Sequence, residues 1–222
     1  MNRILLFLLL ASVIHGCNAA GKEKRALLAK DYALADTLQY DHTVIDAVRE
    51  TISGKINRLA PTSAKERSVT GLADALEFEY EVNTENSQDY ERLRAGLRQQ
   101  GYLLFKSEEN FGTAPDRYAI LRTRDQLDIV RFRATNGFNY DISNDSILTK
   151  LQEWRRQQSF EITGADTDWI EIHLDQLNPS EALAFAGQVY EFCPDLSEHG
   201  AGTVENLAAE LLDTKSIFLW WD

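Results

Sequence analysis

Cysteine, proline and methionine are scarce in this chain: its 222 residues hold two, four and one of them. With only Cys17 and Cys193 available, no disulfide framework can be built, and the fold must rest on its apolar core. So little proline excludes a proline-rich spacer, and no short-period repeat or low-complexity tract is present. No apolar run is long enough to cross a bilayer; the longest, Ile4–Ile14, has the length of a signal-peptide core. Gly-x-Ser-x-Gly, phosphate-loop, Gly-x-Gly-x-x-Gly and His-Glu-x-x-His motifs are missing, which counts against the large hydrolase, nucleotide-binding and metalloprotease classes. No cofactor is expected.

Positive charge is missing from one region. Residues 160–222 contain thirteen Asp/Glu and a single basic residue, Lys215, so the whole formal net charge of −12 resides there. The remainder balances at 22 acidic and 22 basic residues. An acidic surplus argues against nucleic acid and anionic membrane surfaces as partners. It fits a solvated, solubilising face or a docking surface for a basic protein or a cation.

At the N-terminus, Met1-Asn2-Arg3 is a short basic head before the apolar run. Ile14-His15-Gly16-Cys17 then reads as a lipoprotein box, with Cys17 the lipidation site and residues 1–16 the signal peptide. Ordinary cleavage after Ala19 or Ala20 is the other reading. The expected location is the cell envelope as a membrane-anchored lipoprotein, or else secreted or periplasmic and soluble. Membrane contact is expected only through the anchor.

Residues 17–71 read as an N-terminal helical segment and linker. Its amphipathic pieces are Ala26–Leu38 and Val44–Leu59, the second weakened by Gly54, followed by the Pro61-containing stretch Ala60–Gly71. Residues 72–222 read as the α+β domain. Leu76–Val82 alternates strictly, as a half-buried strand does, with Glu77, Glu79 and Glu81 outward. A helix over Ser87–Gln100 closed by Gly101 follows, then strands over Tyr102–Ser107 and Arg117–Arg122. Thr123-Arg124-Asp125-Gln126 resembles a capping box opening a helix to about Ala134, and Phe138–Ile142 reads as a short strand. Next come a helix over Ser143–Gln158, a hairpin of Phe160–Thr163 and Asp168–Leu174, and a helix from the Asn178 cap to Phe192. The Thr203–Asp213 helix places Val204, Leu207, Ala208, Leu211 and Leu212 on one face. Ser216–Asp222 is apolar on both faces, which predicts a central strand with both Trp220 and Trp221 in the core. The order fits two consecutive ferredoxin-like (βαββαβ-type) halves or one mixed seven-stranded sheet with helices packed on it.

Chemistry-bearing residues are few. Trp169, Glu171 and His173 share one strand face, where His173 could act as an acid–base group oriented by Glu171. With His199 they define a hydrolase-type alternative that requires a cleft joining Asp168–Leu174 to Asp195–Gly202. The plain reading is that alternate residues of any strand are neighbours. Asp195, Glu198 and His199 could ligate a divalent cation, although their spacing matches neither zinc motifs nor a calcium loop, and turn chemistry explains them equally. Cys193 is excluded as a nucleophile: a helix C-terminus with Asp195 and Glu198 nearby raises a thiol pKa.

Cys193-Pro194-Asp195, Gly200, Gly202-Thr203-Val204, Leu207, Leu211 and Trp220-Trp221-Asp222 together resemble the bacterial domain-of-unknown-function family 4253. Thr135-Asn136-Gly137-Phe138-Asn139-Tyr140 and Asp168-Trp169 extend the resemblance, which reaches back to about residue 72. The family implies no activity. Where it carries glutamine before Gly200 this chain has His199, and Ser197 stands where an aliphatic residue is usual, so a role for His199 is not implied by the family.

Overall fold

The computed structural model describes residues 25–62, 72–198 and 200–221, with Ser197 and Glu198 described by their backbone alone. The segment 1–16, Cys17, most of the 60–71 linker and His199 lie outside the described residues. The chain forms two compact units, Met1–Ile52 and Ser53–Asp222.

In the first unit, α1 (residues 25–38) is followed by α2 (His42–Thr51). Val44, Ile45 and Val48 form the buried stripe of α2. The Arg49 guanidinium donates to Asp31 at 2.7 Å with both side chains largely out of solvent, and the Tyr32 and His42 rings stack at 4.3 Å. The periodicity predicts that α2 runs on to Leu59, but it ends at Thr51. Ile52 turns extended, and Ile56–Leu59 becomes strand β1, the first element of the second unit. Ile56 keeps helical spacing from Ile52, yet it is buried beside Phe78 of a neighbouring strand, a tertiary preference that local pattern does not contain.

The second unit is built on a single seven-stranded sheet in the order β1-β2-β4-β3-β5-β6-β7. The strands after β1 are β2 (Ala75–Tyr80), β3 (Leu103–Glu108), β4 (Asp116–Leu121), β5 (Phe160–Ala165), β6 (Trp169–Leu174) and β7 (Ser216–Trp220). All pairings are antiparallel except β3 with β5, so the sheet is mixed. Of the two α+β architectures the sequence admits, this is the single sheet. The count of seven is reached differently, however: β1 is gained and Phe138–Ile142 is lost. The latter holds a 3-10 turn at Phe138–Tyr140, with Asp141 left-handed (φ 55°). Gly137 and Ile142 bond to each other at 2.8 and 3.0 Å instead of joining the sheet.

The helices of this unit are α3 (Ser87–Gln100), α4 (Leu127–Arg133), α5 (Asn144–Arg155), α6 (Pro179–Phe192), the short α7 (Asp195–Glu198) and α8 (Val204–Thr214). Ser143, Asn178 and Thr203 cap α5, α6 and α8, each accepting a backbone N–H. The expected box at Thr123 does not cap. Asp125 instead accepts the Leu127 N–H at 3.0 Å, and α4 starts later. One sheet face carries Phe105, Ala119, Ile162, Ile170 and Leu219 and packs on Phe132, Trp154, Phe185 and Leu211 of α4, α5, α6 and α8. The register puts Leu76, Phe78, Leu104 and Ile120 on the other face, where α3 supplies Leu93 and Leu97. Glu77 is not an outward residue of a half-buried strand: it is 8% exposed and accepts the Ser107 hydroxyl at 2.8 Å.

The C-terminal strand is not central. β7 pairs with β6 alone and forms the sheet margin. Trp221 is buried, as expected, whereas Trp220 is 36% exposed. The two-faced apolar pattern has a different cause. Ile217, Leu219 and Trp221 join the helix-covered core, while Phe218 on the opposite face stacks on Trp169 at 5.3 Å and meets Phe111 edge-on at 6.4 Å. Aromatic side chains shield an edge here, where a sequence reading assigns neighbouring strands.

Candidate functional site

Helices cover one sheet face throughout, but α3 covers only part of the other. Beside α3 lies a trough of about 820 Å³. Lys106, Tyr118, Thr163 and Glu171 from β3, β4, β5 and β6 line it, with Tyr90 and Arg94 of α3 and the 112–116 loop as further walls. Gly164 makes room nearby: a Cβ there would come within 2.8 Å of the Trp169 ring and 3.1 Å of the Lys106 Cβ.

Two ion-pair clusters organise the trough. Glu161 accepts from both Arg94 and Arg98. Lys106 donates to Glu109 and lies 3.5 Å from Asp116 and 3.4 Å from Glu171. Burial works to lower the Lys106 pKa, but the Glu109 hydrogen bond and the charges of Glu171, Glu109 and Asp116 outweigh it and hold the ammonium above its ordinary value. A lysine so held is a structural cation, not an amine nucleophile. Burial, followed for each by neighbouring groups including Glu171, also raises the Tyr90 and Tyr118 phenols, which therefore stay protonated.

Glu171 and His173 both line this trough. They are not joined as base and orienter: Glu171 serves Lys106, and His173 Nδ1 meets the Ser216 hydroxyl at 3.3 Å. Trp169 is buried against Phe218 and above Gly164. Asp195 and Gly200 line a separate cavity of about 340 Å³ along β7, so no described cavity joins the two segments that the hydrolase reading needs. Asp195 is buried and accepts the Tyr140 hydroxyl. The proposed third partners, the Glu198 side chain and His199, lie outside the described residues, and among the described residues no group of three His, Cys, Asp or Glu side chains is placed to hold a metal ion. Cys193 is buried and free, and its thiol donates to the Trp220 carbonyl at 3.1 Å. Burial, and then the Asp195 charge, push that thiol up to about 11, in keeping with a structural cysteine.

Lys106, Tyr90, Tyr118, Glu109 and Asp116 escape sequence reading. Lys106 and Tyr118 are direct partners in the β3–β4 pairing, and Glu171 reaches Lys106 only because β3 pairs in parallel with β5, a long-range choice. The one local signal is a lysine that directly follows the apolar run Tyr102–Phe105 within a strand.

The motif residues behind the family resemblance converge at the β7 end of the sheet. Gly137 abuts Trp221, Tyr140 holds Asp195, Cys193 holds Trp220, and the Trp221 N–H donates to the Asp168 carbonyl at 2.9 Å. Residues 117–222 match the family model described as Domain of unknown function (DUF4253). The DUF4253 match thus begins within β4, short of the expected residue 72, and takes in every motif residue named above. Those contacts give the DUF4253 signature a structural meaning, as a knot that pins the last strand. No curated protein and no solved structure matches the chain.

Two groups stand apart among the carboxylates of the acidic region. Glu161, Asp166 and Glu171 are matched by Arg94 with Arg98, by Arg133 and by Lys106. Glu191, Glu205, Glu210 and Asp213 on α6 and α8 are exposed and without an ion pair among the described residues. Neither helix contains a lysine or arginine.

Proposed function

We propose that the protein is an exported, lipid-anchored module of the cell envelope that binds a basic protein through its acidic C-terminal region, without catalysis. The sorting of carboxylates carries this reading. Glu161, Asp166 and Glu171 each meet a basic side chain, whereas the carboxylates of Glu191, Glu205, Glu210 and Asp213 on α6 and α8 face solvent uncompensated. Unmatched like charge on a rigid pair of helices creates the potential that steers a partner of opposite sign. The engagement of Glu171 by Lys106 and of His173 by Ser216 supports a non-catalytic role. Export and anchoring rest on the basic head, the Ile4–Ile14 run and the box ending at Cys17.

The test is a pull-down from envelope extracts, read by mass spectrometry. It compares the wild type with a variant carrying Glu191→Gln, Glu205→Gln, Glu210→Gln and Asp213→Asn. Capture of the same basic protein by the wild type alone, reversed by salt, is expected; equal capture by both would refute the reading. For the anchor, Cys17→Ser should abolish labelling by a radioactive fatty acid and release the protein from membranes. An unlabelled wild type cut after Ala19 or Ala20 would remove the anchor from the account.

A further inference from the structure

The trough beside α3 is a different surface from the α6 and α8 face, and what it could hold follows from its own lining. Its volume of about 820 Å³ falls within the range of small-molecule sites. Six carboxylates line it, from Glu81, Glu91, Asp116, Glu161, Glu171 and Asp175, against two basic side chains, Arg94 and Lys106. The excess is uneven. Glu161 is satisfied by Arg94 and Arg98, while Lys106 alone serves Glu109, Asp116 and Glu171. Negative charge is left over along the trough and is not gathered at one point.

A second observation is independent of charge. Tyr118 is 5% exposed, yet its hydroxyl has no protein hydrogen-bond partner among the described residues. Thr163 Oγ1 is buried and likewise unpartnered, and it lines the same trough. An unmatched buried hydroxyl such as that of Thr163 costs free energy unless a ligand or water meets it, and the Tyr118 hydroxyl stands on the wall of the same trough. The Tyr118 ring lies edge-on to Tyr90 at 5.3 Å, so the wall carrying these oxygens is aromatic and can face a cation or an aliphatic chain.

We infer that this trough binds a small organic polycation of the aliphatic di- or polyamine class. Spread carboxylates suit ammonium groups separated along a chain. Unpartnered hydroxyl oxygens suit N–H donors, and the tyrosine rings suit the methylenes between them. A bare metal ion fits poorly, because Glu109, Asp116 and Glu171 converge on an ammonium already in place. A quaternary ammonium lacks the protons that Tyr118 and Thr163 could accept.

The experiment is calorimetric titration of the full chain with spermidine, with 1,4-butanediol and magnesium chloride as controls. Spermidine should bind with a stoichiometry of one, 1,4-butanediol should not bind, and magnesium at matched charge should not displace spermidine. Tyr118→Phe removes one oxygen and keeps the ring, and should weaken spermidine binding by about fivefold. Glu171→Gln should weaken it by about tenfold. Glu153→Gln, on α5, should leave it unchanged. Absent spermidine binding, displacement by magnesium, or equal weakening by Glu153→Gln and Glu171→Gln would each overturn the inference. The partner-binding reading is unaffected by any of these results, since its residues lie on α6 and α8.

Discussion

Gly137 lies flat against the indole of Trp221: a Cβ at this position would come within 2.9 Å of the ring and 3.2 Å of the Ile142 Cβ. The loop carrying Gly137 and the strand end carrying Trp221 therefore fit only because one residue has no side chain. Gly137→Ala should destabilise the second unit by about 1–3 kcal/mol, as overpacking does. Urea denaturation followed by tryptophan fluorescence checks this, and an unchanged midpoint would contradict the close fit.

The adjacent tryptophans should differ sharply. Trp221 is 3% exposed and its indole N–H reaches the Phe192 carbonyl at 3.4 Å, whereas Trp220 is 36% exposed at the sheet margin. Trp221→Ala should cost about 3–5 kcal/mol. Trp220→Ala should cost about 1 kcal/mol, near the centre of the range for point changes in general. Equal losses in thermal or urea unfolding would mean that β7 is enclosed on both sides after all.

The Cys193 thiol provides a pH signature. Its pKa is raised from an ordinary 9.0 to about 11, first by burial and then by Asp195. The folded state thus keeps a proton that the unfolded state releases above 9.0, so stability is fully present below that pH and falls as pH climbs toward 11. The thiol leads this decline from 9.0, and the similarly raised Tyr90 and Tyr118, whose ordinary value is 10.0, add to it as the pH nears 10.0. Cys193→Ala should flatten the pH dependence of the urea midpoint across that window. The native thiol should also resist iodoacetamide until the protein unfolds.

Much of this architecture is legible in the sequence where local rules act alone. The α3 span Ser87–Gln100 and its Gly101 stop, the Asn178 cap with Pro179, and the Thr203 cap of α8 all follow from spacing and capping chemistry. Errors arise where a distant segment decides. Ile56 continues a helical stripe by spacing but pairs with Phe78, and Phe138–Ile142 has strand-like residues but closes on itself through Gly137. β7 looks central because Phe218 is apolar, yet its cover is the single ring of Trp169 with Phe111 alongside. The trough is less legible still. Glu171 and His173 are visible as strand neighbours, but the Lys106 that claims Glu171 comes from 65 positions earlier in the chain, through a strand pairing that no local pattern encodes.

Charge placement ties fold and function together. Glu191, Glu205, Glu210 and Asp213 are exposed without ion pairs among the described residues, while Arg94, Arg98, Arg133 and Lys106 are committed to Glu161, Asp166 and Glu171. The most direct measurement is the affinity of a basic partner for the wild type and for the four-site neutralised variant across a series of ionic strengths, with oligolysine as the defined probe. The account predicts tight binding to the wild type that weakens steeply with salt, and weak, nearly salt-independent binding to the variant. Matching affinities and matching salt slopes for the two proteins would contradict it.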